Sequence, residues 1–244
     1  MGICTFLLLW SGTRLAVWYV HGRRTRPESE AKEDFGVLLT AVLTLLGLII
    51  GFTLSMATTR YDQRKNFEEG EANAIGTEYV RADLLPPEQA AAVRGLLKQY
   101  TAERILYYGA HTRSELEAIA AKRSLLQERL WAAVLPSASA NPTPVTALVV
   151  SGMNDVLNSQ GYTHAAWLNR IPLEAWVLLV LIALLANVML VYNARTLQRR
   201  SPLLLILPLV VSVAFTLIAD IDSPRGGLIR VTAPNLRIVL NQMP

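Results

Sequence analysis

Four carboxylates crowd the stretch EEGEANAIGTE, at Glu68, Glu69, Glu71 and Glu78, and two arginines, Arg60 and Arg64, stand one helical turn apart just before them. Carboxylates in pairs serve general acid–base catalysis and cation capture, so chemistry is sought here first. The bland alternative is a solvated helix face; the sharp one is an acidic mouth that attracts cations. Other reactive residue types are sparse. His21, His111 and His164 lie far apart, and none has a suitable metal-ligand partner at i+3 or i+4. Cys4 is the single cysteine, which excludes an intramolecular disulfide, a CxxC redox pair and a cysteine zinc cage. No P-loop, GxGxxG or GxSxG occurs. The expectation is no enzyme, no metal and no cofactor.

A second constellation precedes the charges. Thr40, Thr44, Gly47, Gly51 and Ser55 recur at intervals of four, three, four and four, which places small and weakly polar groups on one stripe of an otherwise Leu- and Ile-rich helix. Two readings fit. Gly47 and Gly51 form a GxxxG, the signature of close helix packing in a bilayer. Alternatively the stripe lines an aqueous path around a symmetry axis, where hydroxyls replace part of an ion's hydration. Arg60 and Arg64 are either snorkelling interfacial residues or part of an ion-binding ring. Asp220 and Asp222 follow the last apolar segment, and with Arg60, Asp62 and Arg64 they form a candidate interfacial charge cluster, a latch between two span ends.

These residues need elements that suit a membrane. The chain has 244 residues, 52% hydrophobic and 17% charged, with a mean hydropathy of +0.32. Its formal charge of +4 comes from 23 Lys and Arg against 19 Asp and Glu, commonest as Arg beside apolar segments, so nucleic acid need not be invoked. Residues 35–59, 175–194 and 201–219 carry no charge and satisfy the bilayer length of about 18 to 25 residues. A fourth segment, 3–20, is interrupted by Arg14. A secretory signal is the rival reading for it, opposed by the lack of a basic n-region and of an A-x-A site.

Between the second and third spans the polar residues 60–170 show helical periodicity and no alternating β-branched runs. Pro86-Pro87 followed by Val93, Leu96, Leu97, Tyr100 and Tyr107 predicts a helix over 87–109. TRSE at 112–115 is a capping box, with Thr112 as N-cap and Glu115 at N3, opening a helix whose stripe is Leu116, Ile119, Leu126, Leu130 and Val134. PSASANPTP, 136–144, reads as a linker, and Val145, Val149, Met153 and Val156 begin another helix. No turn signal separates Thr59 from Arg60, so the second span is expected to continue as one long helix. Phe67, Ile75 and Tyr79 would keep its apolar stripe, while Asp62, Glu68, Glu69, Glu71 and Glu78 face polar surroundings. The expected fold is all-α: four membrane spans with an extramembrane helical bundle. Its divisions are 1–59 (spans 1 and 2), 60–171 (helical region), 172–219 (spans 3 and 4) and 220–244 (carboxyl-terminal tail).

GFTLSMATTRYDQRKNFEEGEANAIGTEYVRADLLP, from Gly51 onward, resembles the bacterial bestrophin-like membrane family, as does the acidic, Pro-containing DIDSPRGGLIRV after the last span. Gly51-Phe52 followed by Thr59-Arg60-Tyr61 is more distantly similar to the bestrophin ion channels, although Tyr61-Asp62 replace the paired tryptophans found there. The resemblance implies a multi-pass protein of the bacterial inner membrane that associates with itself, as a pentamer, and with membrane lipid. Its function would be an ion channel passing inorganic ions. Carrying over the family's neck by the Gly-Phe alignment puts Thr44, Leu48 and Phe52 at the constriction. The rival reading is a non-conducting membrane-anchored scaffold whose helical bundle recruits a partner. Basic residues do not settle the orientation: Arg23, Arg24, Arg26, Lys32, Arg195, Arg199 and Arg200 flank one side, and Arg60, Arg64, Lys65, Arg170, Arg225 and Arg230 the other. Resemblance places the large helical region in the cytoplasm.

Overall fold

A computed structural model describes residues 2–22, 29–193 and 202–244; for 19–33 and 202 no side-chain detail is described. Arg23, Arg24, Arg26, Arg195, Arg199 and Arg200 fall outside the described residues, as does the Lys32 side chain. The described residues form helices without a strand: α1 (Gly2–Gly22), α2 (Ser29–Arg81), α3 (Pro87–Gly109), α4 (Arg113–Ala140), α5 (Pro144–Leu168), α6 (Leu173–Asn193), α7 (Ile206–Asp222) and α8 (Pro234–Gln242). Two compact units divide them, Met1–Thr59 with Arg170–Ser223, and Arg60–Asn169 with Pro224–Pro244. Helix α2 runs through both as one element because nothing from Ser29 to Arg81 breaks it; Gly70 and Gly76 lower its propensity without ending it.

In the first unit α1 packs on α6 and α7. Leu9, Leu46, Leu179, Ala183, Ala186, Val211 and Phe215 form its largest buried cluster, with Trp176 edge-on to Phe215 at 6.2 Å. Large apolar side chains also cover its outside, among them Val37, Leu48, Phe52, Leu181, Leu185, Val210 and Val213. An apolar exterior on an already packed helix bundle is what hydrocarbon surroundings select. Three helical runs among the described residues, Asp34–Leu84, Pro144–Asn193 and Leu203–Asp222, are long and apolar enough to cross a membrane. The fourth expected span is a shorter apolar helix, Ile3–Trp18. Arg14 interrupts it and lies over the Trp10 ring at 5.2 Å, a cation–π contact that shields the charge.

The second unit is a helical bundle around Ile75, Val93, Leu97, Tyr100, Leu130, Met153, Val156 and Leu236, all fully buried. Its helix starts follow local chemistry. Pro87 occupies the first position of α3. At α4 the Glu115 amide donates to Thr112 Oγ1 at 3.2 Å and the Thr112 amide to Glu115 Oε2 at 3.0 Å. Helix α5 has a box of its own, the N-cap Thr143 with Thr146, and Pro144 at its first position. The expected linker 136–144 is corrected: α4 continues through Pro136 to Ala140. Buried Val134 and Ser137, the latter donating its hydroxyl to Gln89 Oε1, hold that last turn against the proline's lost N–H. The expected helix start at Val145 is found in α5; Val145 itself points outward while Val149, Met153 and Val156 are buried.

Candidate functional site

The stripe and the charges occupy different faces of α2. In the first unit Leu39, Leu46, Thr53 and Ala57 turn inward, spaced by sevens and then four, and fix the helix's rotation. Thr40, Thr44, Gly47, Leu48, Gly51, Phe52 and Ser55 are all exposed. A Cβ built on Gly47 or Gly51 would meet nothing within 4 Å, so among the described residues no side chain packs into that GxxxG. The threonines satisfy their hydroxyls locally: Thr44 Oγ1 donates to the Thr40 carbonyl at 2.8 Å and Thr40 Oγ1 to Gly36 at 2.9 Å. Their oxygens keep acceptor capacity on the outward side. The outward spacing of three and four continues along α2 through Thr58, Asp62, Asn66, Glu69, Asn73, Thr77 and Val80, each exposed.

Beyond Thr59 the inward face is ionic. Arg64, Glu68, Glu71, Ile75 and Glu78, spaced four, three, four and three, are buried together. This corrects the expectation that Glu68, Glu71 and Glu78 face polar surroundings; Asp62 and Glu69 do. Burial is possible because each finds a different brace. Arg64 donates from Nε to the Ala166 carbonyl at 3.1 Å and from Nη2 to Asn169 at 2.9 Å, closing the carboxyl end of α5 instead of snorkelling. Glu68 accepts from the Leu236 amide at 2.9 Å and from Asn235 Nδ2 at 2.7 Å, satisfying the start of α8, whose own N-cap, Ala233, has no side-chain acceptor.

Glu71 is held by Arg104, which donates from Nε to Oε1 and from Nη2 to Oε2 at 3.1 Å, by Thr163 Oγ1 at 3.1 Å, and by the Tyr108 hydroxyl at 3.5 Å. Burial opposes the Arg104 charge, but Glu71's charge and hydrogen bonds outweigh it and push its pKa up. Burial and then the Glu71 charge also raise Tyr100 and Tyr108, so both phenols stay protonated. A carboxylate locked in this way is a fastener and not a proton shuttle. Glu78 alone in the row has neither carboxylate oxygen hydrogen-bonded among the described residues.

Asp222 is buried in the first unit and accepts from the Ile171 amide at 3.1 and 3.3 Å; Asp220 is half-buried. Arg60 is half-buried in the second unit. No group of three or more His, Cys, Asp or Glu placed to hold a metal occurs among the described residues. Missed in the sequence were Arg104, Tyr108 and Thr163, and also Arg225. The Arg225 guanidinium lies over Trp167 at 4.1 Å and Tyr107 at 4.4 Å, and Nη1 donates to the Tyr107 carbonyl at 2.8 Å. Its signal was the lone arginine in SPRGG, a loop otherwise rich in turn formers.

Comparison with known proteins bears on the whole chain. A family model described as the Bestrophin-like domain matches residues 7–236. Among solved structures, a bacterial bestrophin homologue from Klebsiella pneumoniae is 15% identical, with a TM-score of 0.65 over 99% of this chain and 95% of that one. A tryptophan-to-alanine variant of the Klebsiella pneumoniae homologue is 12% identical, with a TM-score of 0.68 over 99% and 93%. At these identities the likeness carries the fold alone. No curated protein matches.

Proposed function

The chain belongs to the Bestrophin-like domain family, and we propose from that premise that it assembles with copies of itself and conducts ions along an axis lined by the outward face of α2. The observation that supports this most is the uncovered stripe: Thr40, Thr44, Gly47, Gly51 and Ser55 all stay exposed while α1, α6 and α7 pack on one another elsewhere. A polar stripe facing hydrocarbon would be costly, whereas around an axis it lines a hydrated path. Leu48 and Phe52, exposed beside it, form the apolar constriction, and Asp62 with Glu69 on the same register concentrate cations near its aqueous end. A ring of five follows the family, as does an inner-membrane location with residues 60–169 in the cytoplasm. A reporter fused after Pro244 and active only in the periplasm would reverse that orientation.

Purified protein in liposomes tests conduction. Ion flux above that of protein-free vesicles is expected, increased by Phe52→Ala and blocked by a thiol reagent in a Cys4→Ser, Ser55→Cys variant. Absence of flux in all three sinks the channel reading. The scaffold reading has one observation in its favour, an apolar groove of about 660 Å³ at the α4–α5 turn lined by Trp131, Ala138, Pro142, Pro144, Ala147 and Val150 among others. It predicts a silent protein in the same assay.

A further inference from the structure

Glu78 is the one carboxylate on the inward face of α2 that the bracing scheme leaves over. Its side chain is fully buried, and neither oxygen has a hydrogen-bond partner among the described residues. It is pressed against the backbone of α5 at Gly152, where a built Cβ would overlap the Glu78 carboxylate and meet Arg81 Nη1 at 2.5 Å. Glycine leaves room for this close approach, and a larger residue would have to displace the Glu78 and Arg81 side-chain ends. Two charged groups act on it. Arg81, nearly one turn on along α2, makes no ion pair with it among the described residues, and its Nη1 lies 3.4 Å from the Leu148 carbonyl. Asp155, on α5, is exposed and acidic. Asp83, in the turn after α2, is taken by Arg94.

A buried carboxylate without donors is among the costliest groups a protein can hold, and uptake of a proton is the simplest relief. We propose that Glu78 is a proton-binding site: protonated, it keeps α2 seated on α5 at Gly152, and on losing its proton it loosens that contact to admit water. Burial, opposed by Arg81 and reinforced by Asp155, pushes its pKa up from 4.5 to about 8. The folded protein thus holds a proton that the unfolded chain releases. Its contribution to stability is complete below pH 4.5 and is lost as pH rises through about 8. The switch acts on the helix that carries the outward stripe, yet it stands without the channel reading, and its test uses no flux.

Infrared difference spectroscopy of the full chain, wild type minus Glu78→Gln, reads the site directly. The expected result is a protonated-carboxyl carbonyl band present at pH 6 and bleaching with a midpoint near pH 8. Amide exchange in α5 around Leu148 to Val156, corrected for intrinsic pH dependence, should rise severalfold above that midpoint in wild type and stay level in Glu78→Gln. Asp155→Asn, a change at an exposed position, keeps the test available if the amide variant folds poorly; it should move the wild-type midpoint to lower pH. A carboxyl band absent at pH 6, or one that bleaches near 4.5, overturns the proposal, as does exchange that rises equally in wild type and Glu78→Gln.

Discussion

Arg104→Met should be among the most damaging single substitutions in the second unit. The guanidinium is 1% exposed and Glu71 0% exposed, and Arg104 donates twice to that carboxylate. Methionine fills much of the same volume but leaves the carboxylate with only two neutral donors, Thr163 and Tyr108. Breaking a buried pair from one side costs about 3–5 kcal/mol, because the remaining charge is stranded. At roughly 4 °C per kcal/mol for a unit of this size, the midpoint of thermal unfolding should fall by about 12–20 °C. Removing both charges is a different matter, since well-packed apolar replacements of a buried pair are often neutral or better. Arg104→Met combined with Glu71→Met should recover most of the loss. Intrinsic fluorescence melting of detergent-solubilised protein suits the measurement, because buried Trp167 lies 5.3 Å from Tyr107 and 5.4 Å from Tyr108, the rings that flank Arg104. A loss below about 1 kcal/mol for the single variant, or a double variant no better than the single, would refute the stranded-charge account.

Three further outcomes are expected. Gly152→Ala should lower the melting temperature by an amount equivalent to about 2 kcal/mol through overlap with the Glu78 carboxylate, and Glu78→Ala in the same chain should restore part of it. The Thr112 and His111 amides hold the Glu115 carboxyl below the usual carboxylate range, so the capping box contributes fully above that range and is lost as pH falls below it through the lowered value. Hydrogen exchange in the first turn of α4, corrected for intrinsic pH dependence, should lose protection on acidification in wild type and change less in Glu115→Gln. For the latch expected among Arg60, Arg64, Asp220 and Asp222, Arg60→Ala and Asp220→Ala should together lower the melting temperature by less than the sum of the single losses; strict additivity would remove the latch.

What was legible in the sequence was whatever a few neighbouring residues decide. Pro87 starts α3 where a missing N–H costs nothing, and Thr112 with Glu115 starts α4, because both are contacts within one turn. The continuity of α2 was equally local, an inference from the absence of any breaker between Thr59 and Arg60. The rotation of α2 beyond Thr59 was not local. Of the expected apolar stripe, Ile75 is buried in the core, Tyr79 packs against it and Phe67 is half-buried, while the rest of the inward row is charged. Arg104 lies 33 residues from Glu71, and the Leu236 amide 168 residues from Glu68, distances at which spacing holds no information. Pro136 misled for a related reason, since a buried Ser137 bonded to Gln89 outweighs a local breaker.

A physical requirement unites the opposed faces of α2. A helix that passes from a bilayer into water must change its surroundings on every side, and its outward register changes from Thr40, Thr44 and Ser55 to Asp62, Asn66 and Glu69. The inward side changes as well, from Leu39, Leu46 and Ala57 to Arg64, Glu68 and Glu71. Apolar packing gives α2 affinity for its neighbours in the first unit but little directional preference. In the second, each ionic brace ties α2 to particular partners at one height: Arg64 to the end of α5, Glu68 to the start of α8, Glu71 to the last turns of α3 and to Thr163 of α5. Three such fasteners on successive turns fix both rotation and axial position of α2 within the second unit.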